Sequence, residues 1–224
     1  KDPNILGCGT VTFPADDCLA SVRRDFRRTR RNIRSTRLRI SRIKSLLSHL
    51  GVLSDDQLND KGDAAPWKLA AQAIVSDSPL TWEEIWHVLR WYAHNRGYDG
   101  NRRWSKIAEE DDEDTEKVTN AIALMKEHGK STMAETVCAE LNVDPLGTKK
   151  SSHLPYKTLN VAFPREVVVN EVKTLLSKHI GKLDKLDQDF IDTLIASNEK
   201  SGKRAWETIK VQSIKLPRRY FGGL

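Results

Sequence analysis

The sequence predicts an all-α protein: one long arginine-rich helix, then an irregular multi-helix lobe, with a short extended lead-in at the N-terminus. Three observations predict it. Apolar residues recur at helical spacing in segment after segment, capping patterns and glycines punctuate those segments, and almost no stretch alternates polar with apolar residues as a strand does. Nothing repeats at a fixed period, so an irregular packing of about seven helices is expected.

Residues 5 to 14 read ILGCGTVTFP, with Val11 and Phe13 alternating around Thr12 before Pro14, which suits a short strand or extended lead-in. From about Asp17 to Leu50 no Gly or Pro intervenes. Phe26, Ile33, Ile40 and Leu47 fall seven residues apart, and Ile43 and Leu50 come three positions after the last two, the pattern of a long helix with a narrow apolar seam. Gly51 stops it, and no leucine heptad continues beyond, which removes the zipper that a basic-region leucine-zipper protein needs. Ser54 to Pro66 is polar and turn-rich and reads as a linker. Thr81 with Glu84 forms a capping-box pattern, and Ile85, Val88, Leu89 and Tyr92 continue at helical spacing until Gly97.

Glu109 to Glu116 is acidic except for Thr115 and reads as a solvated loop or frayed helix start. A helix is expected from near Thr115 to His128, with Val118, Ala121, Ile122 and Met125 on one face and Gly129 past its end. Thr132 and Glu135 cap the next, which Leu141 closes. Residues 144 to 163, with Asp144-Pro145, Gly147, Lys149-Lys150 and Pro155, form a connection whose lysines suit phosphate. Pro164 opens a helix to about Ile180, Asp187 caps another carrying Phe190, Ile191, Leu194 and Ile195, and Gly202 precedes the last segment.

Composition narrows the class of function. The chain has 224 residues, enough for one large or two small domains, and a hydrophobic fraction of 38%. Its formal charge of +6 hides an asymmetry, because residues 23 to 44 hold ten arginines and one lysine against the single acid Asp25. Such a concentration is the electrostatic footprint of a polyanion partner, with nucleic acid ahead of an acidic membrane surface; a solvated basic face is the plain alternative. Cys8, Cys18 and Cys138 are an odd number without CxxC spacing, so neither a disulfide framework nor a zinc site is signalled, and a reducing cytoplasm is expected. No run of about 18 apolar residues and no signal peptide appears, so no membrane partner is expected. Both ends, Lys1 and Gly222-Gly223-Leu224, look like cuts inside a longer polypeptide.

At about 100° per residue, Arg23, Arg27, Arg30, Arg34 and Arg37 share one side of the helix, while Arg24, Arg28, Arg31, Arg39 and Arg42 spread around the adjoining arc. Like charges at three- and four-residue spacing repel, so such a helix needs something negative to stay ordered. Phosphates supply it. The planar guanidinium fork makes two parallel hydrogen bonds to phosphate oxygens and stays charged at any relevant pH. The seam of Phe26, Ile33, Ile40 and Leu47 is expected to face protein and the remaining surface nucleic acid, gripped by its backbone and not read by its bases.

The run RRDFRRTRRNIRSTRLRISRIKSLL at 23 to 47 resembles the bridge helix of the Cas-nine effectors, the single-protein nucleases of type II CRISPR systems. PWKLAAQAI at 66 to 74 and PLTWEEIWHVLRWYAHNRGYDGNRR at 79 to 103 resemble the start of the recognition lobe in compact, subtype II-C-like members. AFPREVVVNEV at 162 to 172 and LPRRYFGGL at 216 to 224 are similar to the family in the same order, and residues 104 to 162 are the least diagnostic. The resemblance implies the end of a nuclease segment at 1–16, the bridge helix at 17–51, the helical recognition lobe at 52–215 and a return to the nuclease lobe at 216–224. It also implies that the bridge-helix arginines clamp the backbone of the guide's seed region. Arg96, Tyr98, Asn101, Arg102 and Arg103 match the family's RGY-SNR stretch and would contact guide RNA near its repeat-derived duplex, with Arg165 and the Arg218-Arg219 pair as weaker matches. Asn95 stands where compact members usually carry a basic residue. By the same resemblance the partners are guide RNA (CRISPR RNA with trans-activating RNA) and target DNA, the heteroduplex being recognised by its A-form shape while base pairing supplies the sequence.

The family's metal-binding carboxylates and histidine nuclease motif lie, by the resemblance, outside residues 1 to 224. The chain is therefore expected to be inactive alone and to hold no cofactor, magnesium belonging to the parent nuclease in the bacterial cytoplasm. The run Glu109 to Glu116 reads as solvated, since magnesium ligands must converge on one point. His94-Asn95 lacks the rest of a nuclease signature, and Gly202-Lys203 lacks the remainder of a phosphate-binding P-loop. Trp82 and Trp86 suit core packing better than base stacking; Trp67 and Tyr98 are open between the two. Two further alternatives stand beside the resemblance: a self-contained nucleic-acid-binding regulator, and a docking site for an anti-CRISPR inhibitor protein that competes with RNA.

Overall fold

The computed structural model describes residues 20–60, 62, 64–98, 112–147 and 159–195. The lead-in at 5 to 14, Asn101, Arg102, Arg103, the Lys149-Lys150 pair, Pro155, Gly202, Arg218-Arg219 and the ends of the chain lie outside them. Among the described residues the fold is all-α, with eight helices and no strand. The chain divides into two units, residues 1–38 and 39–224. Helix α1 (Ala20–Leu50) contributes to both.

In the first unit, α1 is exposed at every position from Arg23 to Arg34. Its apolar seam is bare there: Phe26 is 64% exposed and Ile33 48%. Of the four seam residues, Ile40 and Leu47, both in the second unit, join the core. The reason is local sequence. Ile43, Leu46 and Leu47 cluster within two turns and are fully buried, whereas Phe26 and Ile33 stand alone among arginines.

The second unit is built from α2 (Asp55–Asn59), α3 (Pro66–Val75), α4 (Trp82–His94), α5 (Asp112–Glu127), α6 (Met133–Glu140), α7 (Arg165–Ser177) and α8 (Gln188–Ile195). Pro66 starts α3 at the position where a missing N–H costs nothing. Its alanines Ala70, Ala71 and Ala73 are fully buried, and α3 packs on α4, α6 and α7. The expected capping box holds α4, the Thr81 side chain accepting from the Glu84 N–H and Glu84 accepting from Thr81 N–H. From α4, Ile85, Trp86, Val88, Leu89 and Tyr92 are fully buried, each apolar side chain stabilising by about 1.5–3 kcal/mol.

Three boundaries differ from those the sequence suggests. The segment Ser54 to Pro66 contains α2, opened by a capping box between Ser54 and Gln57 and anchored by buried Leu58. Helix α5 begins at Asp112, within the acidic run. Helix α7 ends at Ser177, and residues 178 to 187 leave it as a loop with Gly181 at φ 78°.

That loop clasps three parts of the unit. The Lys178 ammonium donates to the Ile74 carbonyl near the end of α3, Lys182 to Asp77 at 2.9 Å, and Lys185 to Leu50, the last residue of α1, at 2.7 Å. Buried His179 accepts from the Leu80 N–H through Nε2 at 3.0 Å and, through Nδ1, donates to the Leu175 carbonyl at 2.7 Å. The Trp82 indole donates to the Asp184 carbonyl at 3.1 Å and meets Phe190 edge to face.

A second buried group ties α4, α6 and α7. Glu171, 2% exposed, accepts from the Tyr92 hydroxyl at 2.6 Å and from the backbone N–H groups of Met133 and Ala134, the first two residues of α6. Burial pushes its carboxyl from the ordinary 4.5 up to about 7, against the three donors, which pull it down. The folded chain therefore holds this proton more tightly than the unfolded one. Its contribution is full below the ordinary carboxylate range and is lost as pH rises through about 7. Urea unfolding of the wild type and Glu171→Gln from pH 5 to pH 8 should show the wild type losing about 2 kcal/mol more than the variant over that range.

Candidate nucleic-acid interface

Two arginine groups are on view. The first lies in unit 1 on α1, where Arg23, Arg24, Arg27, Arg28, Arg30, Arg31, Arg34 and Arg37 are all exposed and Asp25 is the one carboxylate among them. Helical spacing alone spreads these eight guanidinium groups around the helix, so a backbone taking any of several paths along it meets a cation.

The second group lies in unit 2 and is assembled from three distant stretches of sequence. Helix α4 closes at Asn95, whose backbone N–H and side-chain amide both donate to the Trp91 carbonyl, at 2.9 and 3.0 Å. Asn95 therefore serves the helix end. Arg96 comes next, then Gly97 at φ 81°. The Tyr98 N–H donates to the Phe163 carbonyl at 2.8 Å, and the Arg165 N–H donates to the Tyr98 carbonyl at 2.8 Å, a short parallel bridge. A Cβ on residue 97 would sit 2.6 Å from the Arg165 Cα and 2.9 Å from its nitrogen, so only glycine allows the two segments this approach.

Arg39 and Arg42 of α1 complete the group. Arg39 is 7% exposed, and its Nε–H donates to the Ala93 carbonyl at 2.9 Å. Burial first, and then the guanidinium groups of Arg96, Arg165 and Arg42, bring its pKa from the ordinary 12.5 down to about 10, so it remains charged at neutral pH. The guanidinium groups of Arg96, Arg165 and Arg42 thus each lie within electrostatic reach of Arg39. The half-buried guanidinium groups of Arg42, Arg96 and Arg165 suit a phosphate, because such a planar group can offer two parallel donors.

Arg39, Arg42, Arg96, Tyr98 and Arg165 are thus brought together, although α1 and α7 lie more than a hundred residues apart in the chain. Nothing in the sequence marks Ala93 as the carbonyl that receives Arg39, or Glu171 as the buried tie beneath; a polar residue at a helical core position, which Glu171 is beside Val168, Val172 and Leu175, is the signal that points to it. The four tryptophans among the described residues belong to the core: Trp67 and Trp86 are at most 1% exposed, Trp91 8%, and half-buried Trp82 packs on Phe190. The Cys138 thiol is buried and pushed up to about 12, which suits neither metal binding nor nucleophilic chemistry. Among the described residues no group of three or more His, Cys, Asp or Glu is placed to hold a metal ion, and no helix is long and apolar enough to cross a membrane.

No protein-family profile matches this chain, and no curated protein matches its sequence.

The junction makes one substitution decisive. Gly97→Ala should lower unfolding stability by at least about 2 kcal/mol, since the left-handed conformation alone costs a residue with a Cβ about 1–2 kcal/mol and the Arg165 backbone must also move. Urea unfolding of the purified variant checks it, and an unchanged midpoint would mean that the two segments do not pair as described.

Proposed function

We propose that this chain is the guide-RNA-gripping part of a type II CRISPR RNA-guided DNA endonuclease, spanning its bridge helix and the start of its recognition lobe. The observation that carries the reading is one helix with eight exposed arginines and a single acid between positions 23 and 37. The second arginine group, with Arg42, Arg96 and Arg165 around the RGY stretch, supports it, as does the resemblance of the ordered segments to that family. In this role the exposed arginines hold the phosphate backbone of the guide and of the RNA–DNA heteroduplex without reading bases. Cleavage of the phosphodiester, and the magnesium it requires, belong to the parent nuclease, which acts in the bacterial cytoplasm in antiviral defence.

Two measurements test this. Titration with a cognate guide RNA, an unrelated structured RNA and duplex DNA, each across a salt series, should give tightest binding to the guide; equal and steeply salt-dependent binding to all three would reduce the reading to a generic polyanion grip, and no binding would sink it. Arg30→Ala combined with Arg34→Ala should lower the slope of log affinity against log salt by up to about two, because each lost phosphate contact removes about one unit or less. An unchanged slope would exclude direct backbone contact by these two residues.

A further inference from the structure

The arginines of α1 share a composition but not an environment. Eight are exposed and Arg42 is half-buried, whereas Arg39 is 7% exposed and its Nε–H is committed to the Ala93 carbonyl at 2.9 Å. A guanidinium sunk to that depth has little surface left for a phosphate to approach. Its acceptor is informative. Ala93 lies in the last turn of α4, where the final four carbonyls have no intrahelical N–H to bind and carry the negative end of the helix dipole. A cation donating there is favoured by hydrogen bonding and by charge together.

Immediately after Ala93 the chain enters the interface. Asn95 closes the helix, Arg96 leaves it, and Tyr98 pairs with Phe163 and Arg165. On the other side, Arg39 sits one turn ahead of Ile43, Leu46 and Leu47, all fully buried, so its own backbone is held firmly against the core. The contact between Arg39 and Ala93 therefore joins a fixed part of α1 to the point from which Arg96 departs, and the Tyr98 bridge carries that constraint on to Arg165.

We propose that Arg39 is a positioning residue: it holds the end of α4, and through it Arg96 and Arg165, in place for phosphates that Arg39 does not itself touch. The proposal rests on the nucleic-acid reading above. It divides the ten arginines by role, exposed ones that grip and a buried one that aligns, where the sequence makes them look alike.

Glutamine separates the two roles, because its Nε2 lies as many bonds from the backbone as the arginine Nε. Arg39→Gln keeps a donor for the Ala93 carbonyl and removes the charge; Arg39→Met keeps the stem and removes the donor. Binding of the full chain to a structured RNA is measured across a salt series for both, with Arg96→Gln as the comparison. The proposal expects Arg39→Met to weaken binding about tenfold, Arg39→Gln to recover most of that loss with the wild-type salt slope, and Arg96→Gln to lower the slope by about one or less. Equal weakening by Gln and Met, with the slope lowered by about one in both, makes Arg39 a phosphate ligand and overturns the proposal. If Arg39→Met does not fold, the slope of Arg39→Gln decides: a wild-type slope supports the proposal and a lowered one overturns it. A readout without nucleic acid keeps the two readings apart. In amide NMR spectra of the free chain, Arg39→Met should shift the Tyr98 and Arg165 signals while Arg39→Gln leaves them near their wild-type positions; unmoved signals in Arg39→Met overturn the positioning role even if the wild type binds RNA, and a wild type that binds no RNA while these shifts appear overturns only the function proposed above.

Discussion

A buried guanidinium has to be matched by oxygen, and at Arg39 the match is the Ala93 carbonyl at the open end of α4. The proposed placement of Arg96 and Arg165 starts from that contact. Its acceptor lies two residues before Asn95, the cap from which Arg96 departs. Ahead of Arg39 the same helix has no such constraint, and eight arginines stand exposed with one acid. Like charges three or four residues apart cost a helix about 0.2–0.5 kcal/mol per pair, so that stretch carries a standing penalty which a polyanion removes. One helix thus combines a buried stretch and an exposed basic one, and the change occurs where isolated apolar residues give way to the Ile43, Leu46 and Leu47 cluster.

Three charged side chains of the second unit follow one electrostatic rule. The carboxylate of Glu171 sits on the N–H groups that open α6, while the ammonium groups of Lys178 and Lys185 sit on carbonyls at the ends of α3 and α1. Each sign is placed where the helix dipole favours it. One consequence is that the formal charge of +6 is a poor guide to the binding surface, since lysines of the 178 to 187 loop are committed to the fold. The arginines of α1 carry the stronger signal because most of them have no such duty.

The helical architecture was legible because local chemistry specifies it: the Thr81 and Glu84 box, the Thr132 cap and the Asp187 cap each start a helix where the residues demand one. The short helix α2 is harder to see, since Ser54 and Gln57 form its capping box within a run of turn residues and only Leu58 reaches the core. The candidate site was half legible. Exposed arginines on one helix follow from spacing, but Arg39 reads as one more of them until a carbonyl 54 residues away claims it. The pairing of Tyr98 with Phe163 and Arg165 is likewise a contact between distant segments, and Gly97 is its only local trace.

The nucleic-acid grip is best tried by hydrogen exchange of the whole chain, with and without a structured RNA carrying a repeat-derived duplex. Amides of residues 23 to 37 should exchange readily in the free chain and become protected on adding RNA, together with those around Arg96 to Tyr98 and Arg165, while α3 and α8 are unchanged. Protection of the arginine stretch that is the same with and without RNA would contradict it.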